Sequence, residues 1–201
     1  VDTDLFNAGQ RSTHMRSSWQ ADEDSIVLLS VGRLAAEKNL DLIVNVYKAL
    51  KNGNRPVRLV FAGDGPYRQQ LQTHCPEALF MGMCSHAQLA TLYASADLFL
   101  FPSLTETFGN VTLEALASGT PVLAFDCAAA SELVQNALNG WLVLGEDPQT
   151  YVLKALEITK SRDALKTARE HTLLSVKDLD WTQIASHVES IFRMTIASHM
   201  A

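Results

Sequence analysis

At 201 residues and 47% hydrophobic content, the chain can bury the core of one substantial domain without disulfides or metals. Its net charge of −6 argues against a broad footprint on nucleic acid or an anionic membrane, since both reward an excess of Lys and Arg on one face; any anion site must be local. Cys75, Cys84 and Cys127 form no paired framework and predict a reducing, cytoplasmic compartment, while no apolar run approaches the roughly 20 residues that span a bilayer and Val1 to Gln20 lacks the order of a signal peptide.

After a polar opening from Val1 to Asp24, read as an approach segment, Ser25 to Val31 is an apolar, β-branched run stopped by Gly32, which predicts a strand. Asn39 stands where it can cap a helix whose apolar positions Leu40, Ile43, Val44, Val46, Tyr47 and Leu50 recur at helical spacing. Val57 to Ala62 is a second strand. The order then repeats: a turn at Gly63 to Gly65, a helix over Pro66 to His74, a strand over Ala78 to Met81, a helix over Ser85 to Ala96, and a strand over Asp97 to Phe101. A loop from Pro102 to Phe108 leads to a helix running through Leu116, then strand Pro121 to Phe125, helix Ala130 to Ala137 and strand Trp141 to Leu144. Alternation of this kind builds parallel sheets, and unbroken apolar runs suit strands buried on both faces. The expected fold is α/β, a doubly wound, mostly parallel, Rossmann-like sheet of about six strands over residues 25–180. Beyond Asp147 the pattern is helical, with Tyr151, Leu153, Leu156 and Ile158 on one segment. Trp181, Ile184, Val188, Ile191 and Phe192 mark a C-terminal helix and tail over residues 181–201.

Ligands of an open parallel sheet bind beyond the carboxyl ends of its strands, and the unusual polar residues gather there. Arg33 and Lys38, in the loop after the first strand, can meet a diphosphate without a metal; their alternative is solvated surface, and Glu37 can be a local ion-pair partner. In Glu106-Thr107-Phe108-Gly109-Asn110-Val111-Thr112-Leu113-Glu114 a helix N-terminus lies between two carboxylates. Its free amides near Gly109, Asn110 and Val111 can receive a phosphate, and Gly109 admits close backbone approach. An ionised carboxylate beside a phosphate makes sense as an acceptor for sugar hydroxyls, although Glu114 taken alone reads sooner as a glutamate complementing the helix dipole. Gly63-Asp64-Gly65 opens a helix, but Arg68 occupies the third-glycine place of a dinucleotide fingerprint. His74, Cys75, Cys84 and His86 fit no standard zinc spacing.

In their order along the chain these residues resemble the carboxyl-terminal domain of the retaining, family 4 glycosyltransferases of GT-B fold. The likeness runs from Val1-Asp2-Thr3-Asp4-Leu5-Phe6 through Gly32-Arg33-Leu34 with Glu37-Lys38, Ala62-Gly63-Asp64-Gly65-Pro66, the Glu106 and Glu114 pair, Glu132 and Asn139-Gly140 to Trp181. It implies one half of a GT-B fold in which Arg33 and Lys38 bind the donor diphosphate, Glu106 the transferred sugar and Glu114 the ribose. Amides from Phe108 to Val111 complete the cradle, Thr107, Gly32 and Gly63 join the donor pocket, and the loop at Met83 and Cys84 holds the base. The resemblance further implies a nucleoside-diphosphate sugar as substrate, no cofactor or divalent metal, and no nucleic-acid partner. It also implies an amino-terminal acceptor domain that lies outside this sequence, through which alone peripheral membrane contact is possible, so that the chain is inactive by itself. A non-catalytic nucleotide-binding or regulatory domain of the same fold is the alternative. Asp126-Cys127-Ala128-Ala129-Ala130-Ser131-Glu132 departs from the family, with alanines where it carries a glycine pair.

Overall fold

Six apolar runs pair side by side, all in parallel, in the order β3-β2-β1-β4-β5-β6. They are β1 (Ile26–Val31), β2 (Val57–Ala62), β3 (Leu79–Phe80), β4 (Leu98–Phe101), β5 (Val122–Phe125) and β6 (Gly140–Val143). The structure, a computed structural model, describes residues 1–104 and 110–199. Its helices are α1 (Thr13–Ser18), α2 (Leu40–Asn52), α3 (Arg68–His74), α4 (His86–Ser95), α5 (Asn110–Ala117), α6 (Ala128–Leu133), α7 (Pro148–Ile158), α8 (Arg162–Ser175) and α9 (Trp181–His199).

Successive strand residues face opposite sides, so Leu28, Leu59 and Phe61 meet α2, α3 and α7 on one face. Val27, Leu29 and Val60 meet α4, α5 and α6 on the other. Each fully buried Leu or Val contributes about 1.5–3 kcal/mol relative to exposure. Tyr151 shows how polar atoms are accommodated between the layers: buried on α7, its hydroxyl donates to the Leu123 carbonyl (2.6 Å) and accepts from the Phe101 amide (3.1 Å).

Residues 1–24, read from the sequence as an approach segment, carry Phe6 and Trp19 into the second core. Arg16 on α1 is only 7% exposed. Its guanidinium donates to the Ser95 carbonyl (3.0 Å), Asp97 (2.8 Å), and the Asp22 (2.8 Å) and Ser25 (3.0 Å) carbonyls. Asp97 also receives Arg11 at 3.1 Å and the Val27 amide at 2.9 Å. One carboxylate therefore ties the opening segment to the starts of β1 and β4.

One expectation needs correction. Asn39 precedes α2 but does not cap it, because it adopts the left-handed conformation (φ 54°, ψ 40°), which Asn tolerates, and its side chain makes no cap bond. Leu153 is exposed; the buried stripe of α7 is Tyr151, Ala155 and Ile158. On α9, Trp181 (65% exposed) and Phe192 (64%) lie open, with Val188 and Ile191 also exposed.

Candidate functional site

The loops leaving β1, β2 and β3 are laced together by backbone bonds. Gly32 donates to Ala62 (3.0 Å), Leu34 to Asp64 (2.9 Å), Tyr67 to Leu34 (2.9 Å) and Gly63 to Gly82 (2.8 Å). Such close lateral contact leaves no room for side chains at the crossing points. A Cβ on Gly63, whose φ is +128°, would sit 1.9 Å from the Gly32 carbonyl oxygen, and one on Gly65 would sit 2.3 Å from that of Leu34. Gly63→Ala is therefore expected to destabilise the fold by about 3 kcal/mol, because the obstacle is backbone and must move. Gly145→Ala, with φ +71° and nothing within 4 Å of the new Cβ, carries only the conformational part, about 1 kcal/mol. Urea denaturation of both variants checks the contrast; equal losses would refute it.

Between the ends of β1 and β4, where the strand order reverses, lies a cleft of about 520 Å³. Gly32, Arg33 and Lys38 line one wall, Ser103, Asn110 and Val111 the other. Arg33 and Lys38 are thus brought opposite the first turn of α5, whose opening amides have no partner within the helix. Arg33 ion-pairs with Glu37, whose carboxyl is held below its usual range by a backbone hydrogen bond and by the Arg33 charge. The Asn39 side chain reaches across toward the Pro102 carbonyl at 3.5 Å, linking the loops after β1 and β4.

An adjoining pocket of about 380 Å³ shares Val31, Gly32 and Arg33 with this cleft and is lined beyond them by Gly63, Met83 and Cys84. Met83 is exposed, and burial pushes the Cys84 thiol up, so that it serves as an apolar wall. Glu114 is not in either cavity. It lines a third, largely apolar hollow of about 740 Å³ with His86, Leu113 and Trp181, joined to the cleft through Asn110. Burial raises its pKa, and the Tyr93 hydroxyl, donating at 3.1 Å, opposes that rise. Glu106, Thr107, Phe108 and Gly109 lie outside the described residues. Sequence reasoning did not foresee Tyr93 as the partner of Glu114.

The family model described as glycosyl transferases group 1 matches residues 12–172. A GDP-mannose-dependent alpha-mannosyltransferase of Corynebacterium glutamicum is 32% identical over 201 residues, covering 97% of this chain and 47% of that protein. The crystal structure of Anabaena Alr3699/HepE in complex with UDP and glucose superposes with a TM-score of 0.81 at 20% identity, over 96% of this chain and 55% of that one. The C-terminal domain of a glycosyl transferase group 1 family protein (LpcC) from Francisella tularensis superposes with a TM-score of 0.70 at 20% identity, over 88% of this chain and 96% of that one. At these identities the solved structures speak for the fold. The chain spans about half the length of the curated relative from Corynebacterium. Among the described residues no helix is long and apolar enough to cross a membrane.

Proposed function

The chain belongs to the glycosyl transferases group 1 family, and from that premise we propose that it is the donor-binding half of a retaining, GT-B glycosyltransferase that takes a nucleoside-diphosphate sugar. The observation that carries this reading is the cleft at the β1/β4 reversal, where Arg33 and Lys38 face the start of α5. In that arrangement the two cations and the Asn110 and Val111 amides take up the charge of the departing diphosphate, and no divalent metal or other cofactor is needed. The base lies in the adjoining pocket at Met83 and Cys84, the sugar is held by Glu106, and Glu114, from the hollow that meets the cleft at Asn110, accepts from the ribose. The LpcC likeness aligns this chain with a carboxyl-terminal domain, so the acceptor is held by a preceding amino-terminal half. The open apolar face of α9 offers that half a surface. Cys75, Cys84 and Cys127, none of them in a disulfide, suit the cytoplasm. A regulatory, non-catalytic role is disfavoured by the two cations still lining the cleft.

Calorimetry with UDP, GDP and ADP in the presence of a chelator tests the reading. One of them is expected to bind, and Arg33→Ala or Lys38→Ala is each expected to weaken it by about 1.5–3 kcal/mol, roughly tenfold to a hundredfold. Binding that appears only with magnesium or manganese overturns the metal-free mechanism. Silence from all three diphosphates overturns the donor site.

A further inference from the structure

At the other end of the sheet, where Ile26 opens β1 and Asp97 precedes β4, lies a separate cavity of about 350 Å³. Arg11, Arg162, Lys166 and Arg169 line it with only two carboxylates, Asp97 and Asp163. In a chain of net charge −6 this is a local reversal of sign. Asp97 is already committed to Arg11, Arg16 and the Val27 amide, and Asp163 is exposed on the rim. Arg16, behind the cavity wall, adds a further positive charge.

Part of this cluster has a structural explanation. Arg11 and Arg169 both donate to the Ala94 carbonyl, at 3.0 and 3.2 Å, and both reach that of Ala96. They thereby satisfy the negative end of α4. That explanation does not cover Arg162 and Lys166, which recur with Arg169 on one face of α8 at a spacing that makes like charges repel. Arg162 also occupies the first position of that helix, the end at which the helix dipole disfavours a cation. Arg162 donates to the Glu23 carbonyl, Lys166 has no hydrogen-bond or ion-pair partner among the described residues, and Arg169 commits only two of its five donors. Burial, with the neighbouring Arg11 charge, brings the Arg169 guanidinium down to about 10 despite Asp97. The positive charge here exceeds what the surrounding carboxylates and carbonyls neutralise.

We propose that this cavity is a second ligand site, independent of the donor cleft, that binds a phosphate-bearing anion through Arg162, Lys166 and Arg169. Such a group accepts several charged hydrogen bonds at once, as no remaining side chain of the cavity can. Because the two sites lie at opposite ends of the strands, both can be filled together.

The test follows the side-chain nitrogen resonances of Arg162 and Arg169 in the isotope-labelled chain. One arm adds inorganic phosphate, and the other adds phosphatidylcholine vesicles doped with phosphatidic acid. Phosphate is expected to shift both resonances saturably. Lys166→Glu, a change at an exposed position, is expected to weaken this about tenfold with the thermal midpoint kept, whereas Lys38→Glu leaves it unaltered. Vesicles that displace phosphate identify a lipid headgroup as the source, and vesicles without effect identify a soluble phosphate. Resonances unmoved by either probe, or a Lys166→Glu chain that binds phosphate as well as its parent, overturn the proposal.

Discussion

Asp97→Ala is expected to lower the unfolding free energy by about 3–5 kcal/mol, because it leaves Arg16 as a buried charge without its counterion. Arg16 is 7% exposed, and it cannot turn to water without giving up three backbone carbonyls from two segments. The same substitution strands the Val27 amide at the start of β1. Asp97→Asn, which keeps an acceptor but not the charge, is expected to fall between the parent and Asp97→Ala. Arg193→Ala, which breaks an exposed pair with Glu189 on α9, sets the baseline at about 0.5 kcal/mol or less. Urea denaturation at fixed pH measures all three. An Asp97→Ala loss no larger than that of Arg193→Ala would show that the opening segment is held by its apolar contacts alone.

The second expected result concerns catalysis. The chain by itself is expected to fold with a cooperative thermal transition, since the sheet is covered on both faces by its own helices. It is nonetheless expected to transfer sugar several orders of magnitude more slowly than the same chain joined to an amino-terminal half. Holding donor and acceptor in one geometry accounts for about 7–11 kcal/mol of barrier in well-oriented systems, and a lone donor half holds only one of them. Its cleft is also open to water. Initial rates at matched donor occupancy decide the matter, and equal rates for the two chains would refute the assignment as half an enzyme.

How much of this was legible in the sequence depended on the range of the interaction responsible. β2 was read residue for residue as Val57 to Ala62, because Pro56 and Gly63 bound an apolar run interrupted only by Arg58. The helix expected over Ala130 to Ala137 instead ends at Leu133. There the buried Asn139 side chain donates to the Leu133 carbonyl (3.0 Å) and accepts from the Gln135 amide (2.8 Å), drawing the chain out of helix before its apolar pattern ends. The Ser85 and Gln88 capping box that starts α4 was a readable signal that went unused. In the cleft, Arg33 and Lys38 were found because position after a strand is local information. The pairs Tyr93–Glu114 and Arg16–Asp97 were not, because neither partner has a local pattern that names the other.

The strand order that creates the donor cleft also sets a schedule for synthesis. β1 pairs with β2 early, but its other edge must wait for β4, where Leu28 meets Leu98 only after α2, α3 and α4 have been made. Until then a largely apolar strand edge is open on the emerging chain, and edges of that kind recruit other strands. Non-local parallel pairing is slow to form. The half-sheet β3-β2-β1 is therefore the species most exposed to aggregation during translation, and the interval before β4 leaves the ribosome is when a chaperone has most to protect.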